Sequence, residues 1–410
     1  MQSERVTFAG RQGRLAARLD LPLERPKAYA LFAHCFTCSK DVFAATRIAQ
    51  ALAELGVATL RFDFAGLGES EGTLAESHFT ANVADLVAAG RYLAAEHGPP
   101  RILIGHSLGG AAVLAAADRI DGAEVVATIG APFDPGHVGH LFADKRREIE
   151  EEGAAMVSIA GRDFRITRQF LEDIGSQDQE TRIARLRKPL LVFHSPVDEI
   201  VGIEHAARIF TAAKHPKSFI SLDHADHLLT NRADAVYVAR VLVAWAQRYV
   251  SGLAGPEFDS LPHSDGEDVI VAEAGSGKLT QLINAAGHPL VADEPLAFGG
   301  NNRGPSPYGL LLASLGACTA MTLRMYADHK GLPLERVMVR LRHEKIHARD
   351  CADCESRDGK VDVITREITL TGGLDAATRA RLLAIADKCP VHRTLHSEVK
   401  VETRLADQSA

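Results

Sequence analysis

Six cysteines, a Gly-x-Ser-x-Gly pentapeptide and several histidines beside acids are the residues in this chain whose types and spacing could do chemistry. "GHSLGG" puts Ser107 directly after the apolar run "RILI" and before a helical run. That strand–turn–helix context leaves a serine oxygen exposed on a strained elbow. A free hydroxyl is a poor nucleophile and needs a base, which in turn needs an orienting acid. In a β/α architecture these follow later in the chain, each just past a strand. Asp198 follows "PLLVFHSPV", and His227 follows "FISLDHAD". The order Ser107, Asp198, His227 predicts acyl transfer; His224 in "DHADH" is the rival base, and Asp223 and Asp226 read as solvated loop residues.

A second chemistry is written further on. Cys318 stands inside "LLASLGACTAMTLRMY", an apolar run four helical turns long. Packing alone accounts for a buried thiol there. A redox nucleophile in a dry pocket accounts for it equally, because Cys389 in "DKCPVHRTL" offers a partner if the two helices pack side by side. A thiolate that attacks a peroxide oxygen becomes a sulfenic acid, and a neighbouring thiol condenses with it to a disulfide. A mid-helix thiol gets no help from a helix terminus, so a cationic side chain must lower its pKa. Two further sets remain open. Cys35 and Cys38 are either a redox pair or ordinary loop thiols. His343, His347, Cys351 and Cys354 are either four zinc ligands or a polar strand end and a loop.

The elements that position these residues follow from periodicity. Up to about residue 250, apolar strands alternate with helices: "YALFAH", "VATLRFDF", "RILIG", "VVATIGAP", "PLLVFH" and "SFISL" as strands, with helices between them and "RADAVYVARVLVAWAQRYV" closing. Such alternation predicts a mostly parallel sheet with helices on both faces. The charged stretch from about 133 to 187 breaks the rhythm and reads as a short, largely helical cap. Residues 251–268 have the Gly, Pro, Ser and acidic composition of a linker. From 269 to 410 the pattern becomes α+β: hairpin strands "DVIVAEA" and "LTQLINA", then a long helix capped by Ser306 and stopped at Gly331. After these come strands "ERVMVRLRHEKIHA" and "KVDVITREITLTG", a second helix ended by Pro390, and a final strand "EVKVETRL".

Bulk properties exclude several classes. The 410 residues are too many for one ordinary domain, and 46% hydrophobic with 24% charged residues is globular composition. A net charge of −7 without a Lys/Arg block argues against nucleic-acid partners. "MQSERVTFAGRQG" has no apolar signal core, and no run of about 18 apolar residues predicts a membrane span. The expected compartment is the cytoplasm, and no cofactor or bound metal is expected.

Residues from about Val6 to Val250 resemble the α/β-hydrolase superfamily. "FDFAGLGESEG" and "AHCFTCSKD" carry the likeness beside "GHSLGG", with Cys35 standing where that family usually has Gly. The resemblance implies an oxyanion hole formed by the amides of Phe36 and Leu108, and favours His227 as base. Residues from about Val269 to Leu405 resemble the OsmC/organic hydroperoxide resistance family through "GPSPYGLLLASLGACTAMTL" and "CPVHRTL". That resemblance implies a two-layer α+β fold and an intertwined homodimer with sites shared between subunits. It further implies reduction of organic hydroperoxides by dithiol reductants, lipoylated proteins among them, with Cys318 peroxidatic and Cys389 resolving. Tyr308 and Gly309 stand where the family usually has an acid, and Lys278 in "EAGSGKL" where it has an activating Arg. The expectation is therefore a bifunctional enzyme, an esterase-like serine hydrolase fused to a thiol peroxidase. The alternative is a hydrolase regulated by a C-terminal redox-sensing and dimerisation module.

Overall fold

In the computed structural model, the residues described are 2–34, 39–73, 78–159, 162–254, 261, 268–275, 279–347 and 359–406. The chain divides into two compact units, Met1–Pro256 and Glu257–Ala410.

The first unit is built on an eight-stranded sheet of order β1-β2-β4-β3-β5-β6-β9-β10. Its strands are β1 (Gln2–Gly10), β2 (Gly13–Leu21), β3 (Ala28–Ala33), β4 (Val57–Phe62), β5 (Pro100–His106), β6 (Val125–Ile129), β9 (Leu190–His194) and β10 (Lys217–Ser221). From β4 to β10 all neighbours are parallel; β1 and β2 form an antiparallel hairpin that joins β4 antiparallel. That hairpin was not among the sequence expectations. Every residue of β4 and β6 is buried, as two-sided coverage demands.

Helices α1 (Phe43–Glu54) and α8 (Arg232–Ala246) cover one face around Phe32, Ile48, Leu52 and Leu242. Helices α2 (Phe79–Glu96) and α3 (Leu108–Ala116) cover the other around Leu31, Leu60, Leu86 and Val113. The cap packs onto this second core through Phe142, Ile149, Phe164 and Phe170. It holds short helices α4 (Arg146–Glu152), α5 (Arg168–Gly175) and α6 (Gln179–Ala184). Where helix was expected, it also carries a hairpin of β7 (Ala154–Ile159) and β8 (Arg162–Thr167). Its buried Ala155, Val157, Phe164 and Ile166 alternate with period two. Helix α7 (Ile203–Ala212) lies between β9 and β10.

The second unit is α+β. Strands β11 (Val269–Glu273), β12 (Gln281–Ala285) and β13 (His288–Ala292) form an antiparallel sheet, one strand more than expected. Helix α9 (Pro307–Lys330) has Ser306 as N-cap, its side chain accepting the Gly309 amide, and Gly331 as a left-handed C-cap. Strands β14 (Leu334–His347) and β15 (Lys360–Gly372) form a long antiparallel hairpin.

Two expectations fail at the C-terminus. Pro390 does not end the second helix. Helix α10 (Ala376–Ala386) stops earlier, and Pro390 opens a new helix, α11 (Pro390–Leu395), at its first position. A proline suits that place because its missing N–H would have no intrahelical partner. Nor do residues 398–405 form a strand: Val399, Val401 and Leu405 are exposed, at 59%, 81% and 99%. Their alternation supplies two faces but no neighbouring strand to take the backbone hydrogen bonds.

Helix α9 buries only Leu315, Thr319, Leu323 and Ala327, a single stripe at i, i+4 spacing. Met321 and Met325 on its other faces are 64% and 72% exposed. Contrary to expectation, α9 is long and apolar enough to cross a membrane by length and composition.

Candidate active site

Ser107 sits between β5 and α3 at φ 54°, ψ −127°, a conformation a non-glycine residue rarely holds. The backbone is pinned there: Ser107 N donates to Ile129 O (2.9 Å) and accepts Gly110 N at its own carbonyl (2.8 Å). The motif's glycines are required by close approach. A Cβ on Gly105 would stand 2.3 Å from Gly109 O, and one on Gly109 would stand 2.3 Å from Ala33 O.

Asp198 lies on the loop after β9 and His227 on the loop after β10, so the parallel sheet delivers all three groups to the carboxyl ends of its strands. His227 Nε2 is 3.0 Å from Ser107 Oγ, and Nδ1 is 2.7 Å from Asp198 Oδ2. Asp198 Oδ1 accepts the amides of Ile200 and Val201, each at 2.9 Å. Burial alone would raise the Asp198 pKa. The hydrogen bond from His227 and those two amides outweigh it and hold the carboxyl below its ordinary range. An ionised Asp198 keeps the proton on Nδ1 and leaves Nε2 free to accept from the serine. His224 is exposed, and Asp226 is occupied by Thr230, so the rival base stands outside the constellation.

His106, which the sequence reading passed over, is buried beneath this site. Its Nε2 donates to the His227 carbonyl at 2.6 Å, and the two rings lie 5.2 Å apart. Burial, with the His227 charge adding to it, pushes the His106 pKa down to about 4.

Leu108 opens α3, so its N–H has no intrahelical acceptor and stands next to Ser107. Phe36, its expected partner in an oxyanion hole, lies outside the described residues, as do Cys35 and Cys38. The chain after that loop is held by buried charges. Asp63 accepts Lys40 N (2.6 Å) and Lys40 Nζ (2.8 Å), and Arg61 Nε pairs with Asp20 (2.6 Å). Beside the elbow, His34, Phe64, Leu67, Phe79 and Leu108 line a small cavity.

In the second unit Cys318 is half-buried and Cys389 fully buried, and both are free thiols. Cys389 is the N-cap of α11, its Sγ accepting the His392 amide at 3.3 Å. Thr319, next to Cys318 on α9, brings its Oγ1 to 3.6 Å from Cys389 Sγ, and the Cys318 thiol is among the groups that lower the Cys389 pKa. Lys278 lies outside the described residues. The cation found beside the pair is Arg366 of β15, within bonding distance of Thr319 Oγ1 (3.0 Å), Ala386 O (3.2 Å) and Asp387 Oδ1 (2.5 Å). The signal for it was present: Arg366 occupies the same strand face as Ile364, Ile368 and Leu370, where an apolar residue is expected.

Of the third cluster, only the two histidines fall among the described residues. His343 Nε2 is engaged by Asp362 Oδ1 at 2.7 Å and its ring stacks on Tyr308. His347 is exposed, and Cys351 and Cys354 lie outside the described residues. Among the described residues no three His, Cys, Asp or Glu side chains are grouped to hold a metal.

A mostly parallel sheet, helices on both faces, a cap and a serine on a strained elbow together define an α/β-hydrolase fold. The chain belongs to the alpha/beta hydrolase family, whose model matches residues 30–300, and it carries a C-terminal domain that matches the OsmC-like protein model over residues 299–404. It is 55% identical to the esterase domain of a Rhodothermus marinus protein, over 61% of this chain and all of that one, with a TM-score of 0.52. It is 25% identical to the uncharacterized protein YfhR of Salmonella typhi (55% of this chain, 75% of that one). It is 30% identical to the mitochondrial palmitoyl-protein thioesterase ABHD10 of mouse (44% of this chain, 62% of that one).

Proposed function

We propose that the chain is a bifunctional enzyme: a serine hydrolase of acyl esters joined to a thiol peroxidase for organic hydroperoxides. The observation that carries the first half is the hydrogen-bonded series Ser107–His227–Asp198 at 3.0 and 2.7 Å. Ser107 Oγ attacks the acyl carbon while His227 Nε2 takes its proton, and Asp198 stabilises the imidazolium. The Leu108 amide, with that of Phe36, holds the developing oxyanion. The proton then passes to the leaving alcohol, and water releases the acid by the same route. The Rhodothermus esterase domain and the mouse palmitoyl-protein thioesterase both bear names of acyl-cleaving enzymes, which supports this substrate class.

The second half rests on the approach of Thr319, the neighbour of Cys318 on α9, to Cys389 Sγ at 3.6 Å. A hydroperoxide oxidises the Cys318 thiolate to a sulfenic acid and leaves as an alcohol. Cys389 displaces hydroxide, which leaves as water, and a disulfide forms. A dithiol reductant, a lipoylated protein by the family resemblance, restores both thiols by exchange. The half-buried and buried positions of the two thiols suit this order of attack. A cytoplasmic location keeps such a pair reducible. A second copy of the chain covers the apolar groove between α9 and β14, where Leu312, Ala313 and Ala317 face Val337 and Leu341. The continuity of that groove with the Cys318 helix favours a homodimer over a lipid surface.

Labelling with a fluorophosphonate, turnover of p-nitrophenyl esters of graded length, and peptide mapping after one equivalent of cumene hydroperoxide test both halves. Expected are a label on Ser107 and a Cys318–Cys389 disulfide that a dithiol reverses. An unlabelled Ser107 removes the hydrolase, and thiols that stay reduced remove the peroxidase.

A further inference from the structure

Arg366 is a cation placed where β15 should bury an aliphatic side chain, and its bonds explain the exception. Its Nη1 donates to Thr319 Oγ1 at 3.0 Å and to Ala386 O at 3.2 Å. The Thr319 hydroxyl donates to Leu315 O at 2.8 Å and has its remaining lone pair toward Cys389 Sγ at 3.6 Å. The sulfur beside this relay is Cys389, which also takes the His392 amide at 3.3 Å. Yet Cys389 is 0% exposed. A hydroperoxide arriving from solvent meets Cys318 first.

We infer that Arg366, acting through Thr319, is a positioning residue for Cys389 as the nucleophile of the second step, so that the structure is built for fast disulfide closure on an oxidised Cys318. The inference rests on the hydroperoxide reading above. When Cys389 ionises, the Thr319 hydroxyl turns from Leu315 O to the sulfur while Arg366 still donates to its oxygen. The Cys389 thiolate attacks the Cys318 sulfur, the S–O bond breaks, the S–S bond forms, and hydroxide leaves and is protonated to water. The oxidant is the hydroperoxide consumed in the first step.

The charges around Cys389 agree. Burial would raise its pKa, but the His392 amide, Thr319, Cys318 and the Arg366 charge together lower it. Asp387 neutralises Arg366 only in part, because its side chain is 62% exposed. His392 is held toward its neutral form by burial and by Arg366. A sulfenic acid at Cys318 that is closed quickly escapes further oxidation to sulfinic acid.

The test uses the full chain with Arg366→Met, and Arg366→Lys as the conservative variant. Single-turnover consumption of cumene hydroperoxide reads the first step, and dimedone trapping with mass mapping reads Cys318 sulfenic and sulfinic acid. The Met variant should slow closure at least about tenfold more than it slows hydroperoxide consumption, with sulfenic acid accumulating and Lys restoring part of the rate. Equal slowing of both steps, or closure at the parent rate, overturns the assignment. A second measurement keeps it separate from the peroxidase reading. In a Cys318→Ser chain, with the Cys318→Ser/Cys389→Ser chain as blank, thiolate absorbance titrates Cys389. Adding Arg366→Met should raise that midpoint. An unmoved midpoint refutes the role of Arg366 even if the parent reacts with hydroperoxide, whereas a parent inert to hydroperoxide removes the peroxidase reading and the closure step with it, and a midpoint that still moves then leaves Arg366 only as a group that tunes the Cys389 thiol.

Discussion

The two units each gather side chains whose types could do chemistry, with opposite use of their surroundings. In the first, every group of the Ser107 constellation is anchored: Asp198 by two backbone amides, His227 at its carbonyl by the His106 ring, Ser107 at its amide by the Ile129 carbonyl. Two extensive cores on the faces of one sheet hold those anchors. In the second, the cluster around Leu323, Leu382, Ile385 and Ala386 is small, and α9 leaves most of its apolar surface uncovered. The contrast teaches that the Ser107 constellation finds its anchors within the described first unit, whereas the helix that carries Cys318 leaves most of its apolar surface open.

The largest effect belongs to the self-contained site. Ser107→Ala should lower ester turnover by about 10⁴-fold or more, and Asp198→Asn by about 10⁴-fold, with thiol oxidation unchanged in both. Stopped-flow ester assays beside disulfide mapping measure the pair. Thiol chemistry that changes with Ser107 would break the independence of the two units.

Next comes the uncovered face. With a second copy covering α9 as proposed, Met321→Glu together with Met325→Glu should convert that dimer to a monomer, since an unpaired charge buried at an interface costs about 3–5 kcal/mol. Light scattering reads the mass. Ester turnover should stay within about twofold, because both residues belong to the second unit and, among the described residues, share no partner with the Ser107 constellation. If the parent is already monomeric, α9 is covered by something other than a second copy and the comparison must be redrawn.

The legible parts of the molecule were those whose signal is local. Ser107, Asp198 and His227 each follow an apolar run, and a parallel sheet brings strand ends together whatever the crossover lengths. Cys318 and Cys389 were singled out together on the packing of two helices, and the structure instead puts Cys389 at the N-cap of a third, α11. The failures are where a pattern needs a partner that sequence does not name. The alternation of 398–405 promised a strand and formed none, while the alternating cap segments found each other as β7 and β8. The cap was read from its charges, "ADKRREIEEEG", which describe α4 alone. Arg366 was hidden differently: it lies 47 positions from Thr319, and only the pairing of β15 with β14 beside α9 brings the two together. His106 was overlooked because its neighbour Ser107 explained the motif without it.

That histidine supports the last and smallest prediction, which asks how far the hydrolase core depends on its buried polar anchor. The folded chain holds His106 neutral down to about pH 4, whereas an unfolded histidine takes up its proton near 6.5. Between those values the unfolded state binds the extra proton, so stability falls as the pH drops through this window and is unaffected by His106 above it. A difference of about 2.5 units corresponds to about 3 kcal/mol at full development. His106→Gln keeps an N–H for the His227 carbonyl but cannot titrate. Urea unfolding of the first unit at a series of pH values should therefore show the parent losing about 3 kcal/mol more than the variant between pH 6.5 and 4. Asp198 adds its own loss at lower pH, as the unfolded carboxyl protonates before the folded one. His194 and His205, also held neutral by burial, titrate alike in parent and variant, so the difference between the two curves isolates His106. Parallel curves would mean that His106 is already charged in the folded protein, and that the His227 loop is held by an imidazolium rather than by a neutral ring.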